Sequence, residues 1–139
     1  MPNPLVKSEA RIQDAALKVT TTLPAADASA NGNSIDLGAA GTAALRSIEV
    51  EIAIPDLENL ADDKDLTVKL QDSADGTTFA DISELAPIVV SGADGEGSDA
   101  EIVKVRLPSS TRQHIRATYA VEDDGGDNTG ESASIAILN

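Results

Sequence analysis

The stretch ALRSIEVEIAIP, residues 44–55, alternates strictly, with Ile48, Val50, Ile52 and Ile54 on one side and Ser47, Glu49, Glu51 and Ala53 on the other. Period two suits an extended chain, whose successive side chains point to opposite faces, so this segment reads as a half-buried antiparallel strand. Pro55, which has no N–H for a ladder, ends it. The rhythm returns in DLTVKLQD, with Leu66, Val68 and Leu70 inward and Lys69 outward, and in EIVKVRLP, with Val103, Val105 and Leu107 inward and Lys104 and Arg106 outward. HIRATYAV gives Ile115, Ala117, Tyr119 and Val121, and SASIAILN sets Ala133, Ile135 and Ile137 against Ser134, Ala136 and Leu138. Shorter candidates are residues 15–23, 34–38, 77–82 and 86–91. Many short strands joined by polar turns predict an all-β fold, an antiparallel β-sandwich or jelly roll. The one stretch at helical spacing is Glu9–Leu17, where Ile12, Ala15, Ala16 and Val19 follow a Ser8 cap.

At 139 residues the chain has room for one core. No run approaches the roughly 18 apolar residues of a membrane helix, and the start MPNPLVKSEARIQ lacks the basic-then-apolar build of a secretion signal. With no cysteine, disulfides and thiolate metal sites are excluded. Acidic residues number 24 against ten basic ones, for a net charge of −14. Residues 1–35 balance Lys7, Arg11 and Lys18 against Glu9, Asp14 and Asp27, so the excess falls after them. Such a surface repels phosphate backbones and anionic membranes, which argues against nucleic-acid and membrane partners. Phe79 and Tyr119 are the only aromatic residues. That leaves little for the stacking surfaces of sugar or single-strand binders.

Residues with chemical potential are few. QDSADGTTFADI, residues 71–82, gathers Asp72, Ser73, Asp75 and Gly76, but Asp-Gly after an alternating strand is first a hairpin signal. Read as a calcium loop from Asp72, its third position is Ala74 instead of a ligand. The acidic connections PDLENLADDKD (55–65), SGADGEGSDAE (91–101) and EDDGGDNTGE (122–131) read as solvated loops, the last a conceivable weak divalent site. His114, the single histidine, alternates outward between Arg112 and Arg116, and no nucleophile elbow or phosphate loop occurs. The chain therefore reads as no enzyme, with no cofactor and no small-molecule substrate.

Residues 1–23 read as an N-terminal arm, residues 24–33 (PAADASANGN) as a flexible linker, and residues 34–139 as the sandwich. Leu5, Val6, Ile12, Leu17, Val19 and Leu23 are the arm's expected partner contacts. Burying six such side chains contributes roughly 9–18 kcal/mol. Ordering some twenty residues costs on the order of 20–40 kcal/mol. The arm is therefore ordered only where it also forms a hydrogen-bonded strand, on its own sandwich, a neighbour's or a partner's edge.

The succession DAALKVTTT, a small-residue linker, SIDLG, RSIEVEIAI and LTVKLQDSADGTTFADI resembles the small capsid cement (decoration) proteins of tailed bacteriophages. The residues that carry the likeness are Asp36-Leu37-Gly38 and the corner from Asp72 to Phe79, within residues 12–82. The resemblance implies a β-sandwich that forms homotrimers on the outer capsid surface of a virion, binds the major capsid protein and staples neighbouring capsomers. Two other classes fit the same residues: a Ca²⁺-dependent surface-adhesion or ligand-binding module, and a tail or head-completion component.

Overall fold

The computed structural model describes residues 13–38 and 48–138, and the alternation of the sequence becomes an alternation of burial. In chain order the strands are β1 (Gln13–Thr22), β2 (Ala28–Asn31), β3 (Ile35–Asp36), β4 (Glu49–Ile54), β5 (Asp65–Ser73), β6 (Ala80–Asp81), β7 (Ile88–Ser91), β8 (Glu101–Arg106), β9 (His114–Val121) and β10 (Ser132–Leu138). Along β4, Val50, Ile52 and Ile54 are buried while Glu49, Glu51 and Ala53 are half-exposed. β5 and β9 repeat this with Leu66, Val68 and Leu70 and with Ile115, Ala117, Tyr119 and Val121.

Two antiparallel sheets form, one ordered β1-β10-β4-β8 and the other β2-β9-β5-β6, with β3 also on β9 and β7 also on β5. β2 and β3 share one interrupted position beside β9, and β6 and β7 share another beside β5. The resulting order is the wiring of a jelly roll, in which each sheet takes strands from two interlocked Greek keys. The inward faces close a single core of Ile, Val, Leu and Ala around Tyr119. Burial in that core pushes the Tyr119 hydroxyl up to about 12.

Because all ladders are antiparallel, alternate connections share an end of the sandwich. Residues 23–27, 55–64, 92–100 and 122–131 gather at one end, where Thr22 pairs with Ser132, Leu66 with Val121 and Ile54 with Glu101. The other end holds Gln13 opposite Leu138, Ser73 opposite His114 and Glu49 opposite Arg106.

Several expectations are corrected. Residues 13–17 belong to β1 rather than to a helix: Gln13 pairs with Leu138 and the register resumes at Lys18–Ala136, with an irregularity between them. The expected linker contains β2, paired in register with β9 from Ala28–Val121 to Asn31–Thr118. The arm's second half is likewise part of the sandwich. On β10, Ala136 and Leu138 are buried as well as the inward residues, Ala136 lying in register between Lys18 and Glu51. On β8, Val103 and Val105 are only half-buried, because β8 is the last strand of its sheet.

Candidate functional site: two unlike ends of the sandwich

The corner at residues 71–79 is a self-contained turn. The amides of Thr77 and Thr78 donate to Asp75 Oδ1 at 2.8 and 3.0 Å, and the Ser73 hydroxyl donates to the same oxygen at 2.8 Å. The Gly76 amide donates to Ser73 Oγ at 2.9 Å, with Gly76 at φ +78, a conformation glycine reaches without cost. Led by the Thr78 and Thr77 amides, these donors hold the Asp75 carboxyl down at about 2. Asp72 is engaged elsewhere. Its carboxylate accepts from the Arg112 amide at 3.0 Å, from Nε at 3.1 Å and from Nη2 at 2.7 Å, while Nη2 also donates to the Asp72 carbonyl at 3.0 Å. This clamp ties the end of β5 to the connection before β9. His114 lies against Gly76, whose absent Cβ would sit 3.4 Å from the imidazole. Asp36 accepts from the Gly38 amide at 2.8 Å and from Gln113 Nε2 at 3.0 Å, and the Gln113 bond is the main reason its carboxyl lies below the usual range.

The carboxylates of this end therefore serve turns and ties. Beside them, across the outer face of the second sheet, Arg116 stacks 4.2 Å from the Phe79 ring centre and donates to Gln71 Oε1 at 2.9 Å. Gln71 in turn donates to Asp81 at 2.9 Å.

The other end is built from the three acidic loops, which the sequence separates and the fold brings together. Leu57 and Ser98 exchange backbone bonds of 2.9 and 3.1 Å, and the Asp63 amide donates to the Gly92 carbonyl at 2.9 Å. The Ala61 amide reaches the Gly125 carbonyl at 3.1 Å, and Asn59 Nδ2 reaches the Asp127 carbonyl at 3.1 Å. Buried Leu57 and Leu60 anchor the first loop in the core. Gly97 fits because a Cβ there would lie 1.8 Å from the Leu57 carbonyl oxygen. Asp62 accepts from the Gly95 amide at 2.8 Å and Glu122 from the Asp65 amide at 3.0 Å, while the Ser91 hydroxyl donates to Asp65.

Asp27, Asp63, Asp94 and Asp124 all have positive φ, between 56 and 61, one in each connection at this end. Aspartate tolerates that region better than most residues because its short side chain bonds locally. Much of the aspartate content here is thus turn chemistry.

What results is a strongly polarised molecule. Residues 55–65, 91–101 and 122–131 hold fourteen of the 24 acidic residues and only Lys64 of the ten basic ones, so these three segments carry −13 of the net −14. No group of three or more His, Asp or Glu side chains arranged to hold a metal ion occurs among the described residues.

The expected arm contacts separate. Leu23 is 1 % exposed and belongs to the chain's own core, so it is corrected as a partner contact. Leu17 and Val19 are half-buried and packed against that core. Leu5, Val6 and Ile12 lie outside the described residues.

No protein-family model matches the chain, and no curated protein matches it. Among solved structures, the crystal structure of PBSX exported protein XepA shares the fold with a TM-score of 0.53 at 15% identity. The likeness covers 92% of this chain and 37% of that one. Nearly the whole sandwich thus corresponds to a part of a longer chain.

Proposed function

We propose that this is a phage structural protein of the capsid cement class, a non-enzymatic sandwich that binds the outside of a shell and staples neighbouring capsomers as a homotrimer. The observation that carries the reading is the polarity of the molecule. Its acidic loops cluster at one end, and the chain enters β1 at Gln13 from the other. A protein fixed to a surface by the entry end would present its acidic end to the medium, where self-repulsion between neighbours keeps decorated particles apart. Trimerisation lets three weak contacts act together. The phage origin of the structurally similar exported protein supports the same class at a coarser level.

The test uses capsids of the encoding phage that lack the protein. Purified full-length chain added back should co-sediment saturably with the shells and raise the temperature at which they rupture. The variant Val6→Asp/Ile12→Asp should lose both effects while remaining folded, with the β-sheet circular dichroism of the wild type and a cooperative melt. Shells that neither bind nor gain stability would end this reading.

One finding favours a second reading. The structural neighbour is an exported protein of which this fold makes up a part, so the same sandwich suits a domain of a larger secreted phage product. The chain would then be recovered apart from virions.

A further inference from the structure

We propose that the outer edge of β8, which no described strand covers, is a docking site for a strand from a second copy of this chain, supplied by residues 5–12 of that copy. Among the described residues four edges border the two sheets, and three are blunted. β1 carries the irregularity between Gln13 and Lys18. The edge at β2 and β3 is broken into four- and two-residue pieces around Gly32, and β6 and β7 are two and four residues long with Pro87 between them. Such breaks are what sheet proteins use to prevent edge-to-edge pairing. β8 has none of them: its six residues pair with β4 in unbroken register from Glu101–Ile54 to Arg106–Glu49, with no proline, glycine or bulge.

The Leu107 amide donates to the Ile48 carbonyl, so in the alternating antiparallel ladder the N–H and C=O groups of Ile102, Lys104 and Arg106 point away from β4. Half-burial of the core-facing Val103 and Val105 fits an edge without a described neighbour, and Ile102 adds an apolar side chain on the outer face. Ile102 is 64% exposed, one of the two large apolar residues so exposed among those described.

The occupant follows from sequence and position. Residues 5–12, LVKSEARI, set Val6, Ser8, Ala10 and Ile12 on one side, apolar but for Ser8, and Leu5, Lys7, Glu9 and Arg11 on the other. The first set extends the apolar face begun by Val103 and Val105. Eight residues reach about 26 Å against about 20 Å for the six of β8, which is long enough to pair. A second copy is needed because β1 and β8 are opposite edges of one sheet. The contact is heterologous, each copy giving a strand and receiving one, which closes into a ring such as a trimer.

The inference rests on the reading of residues before Gln13 as a contact segment, not on what the assembled copies cover. Hydrogen exchange of the full chain tests it at the amides of Ile102, Lys104 and Arg106, with molar mass followed over a dilution series. We expect these amides to exchange at least about tenfold more slowly than in Val6→Asp/Ile12→Asp, and to lose protection on dilution. Lys104→Pro, which deletes one outward N–H and none of the β4 bonds, should yield monomers, whereas Lys104→Ala should not. Equal exchange in wild type and double variant overturns the proposal. Protection that persists in monomers overturns it in favour of the chain's own segment, and protection seen only on shells overturns it in favour of a shell strand. Shell binding with β8 unprotected leaves the cement reading standing, and protected oligomers that ignore shells do the reverse.

Discussion

At the scale of single residues, the carboxylates of this chain divide into those that hold turns and those that supply field. Asp75 is of the first kind. Its folded pKa of about 2 lies below the ordinary 3.8, so its contribution is complete above the ordinary value and is lost as pH falls through the folded one. Asp75→Ala should therefore melt below the wild type at neutral pH, and thermal melts should show the gap closing between pH 4 and pH 2. A gap that persists at pH 2 would mean the donors bind nothing titratable. In the Asp72–Arg112 clamp the side chains are 12% and 44% exposed. Removing arginine strands the more buried charge, whereas removing aspartate leaves a guanidinium that water reaches. Arg112→Ala should accordingly lower the melting temperature more than Asp72→Ala; the reverse order would locate the stability in the Arg112 backbone bond. At Gly97, φ +73 and the Leu57 carbonyl leave no room for a methyl, and Gly97→Ala should cost at least ~2 kcal/mol in denaturant unfolding.

At the scale of elements, depth in the sheet should govern the cost of a substitution. Ile135, on central strand β10, is 1% exposed, and Ile135→Ala should cost ~2–5 kcal/mol. Ile102 is 64% exposed on β8, and Ile102→Ala should stay within about 0.5 kcal/mol in the monomer. Paired urea titrations check both, and similar losses at the two sites would mean that β8 is covered even in the monomer. The central strands were readable in the sequence because one face of each is core and the other is water, so Val50, Ile52 and Ile54 or Leu66, Val68 and Leu70 write the pleat directly. β2 was not, since Ala28-Ser29-Ala30-Asn31 has no large apolar side chain to bury and owes its strand to the edge of β9. The helical spacing around Ile12 and Val19 misled because β1 bends out of regular register where the pattern was counted. Leu23 looked available because a residue that buries itself in its own core and one that buries itself in a partner have the same side chain.

At the scale of the whole molecule, the loops at 55–65, 91–101 and 122–131 were each visible as acidic. Their convergence required the strand order, which decides which connections share an end. Loops that together carry −13 repel one another, so raising NaCl from about 10 to 150 mM should increase the melting temperature as screening shortens to about 8 Å. Millimolar Ca²⁺ should do no more than its ionic strength accounts for, and a larger, saturable rise would favour the calcium-dependent adhesion module. The central claim is that the protein decorates a shell in a fixed orientation, and cryo-electron microscopy of capsids incubated with the full-length chain tests it most directly. The account predicts added density at the local threefold axes, with the end bearing Gln13 and Leu138 toward the shell and the acidic loops facing solvent. Capsids without added density, or sandwiches seated with the acidic loops against the shell, would contradict it.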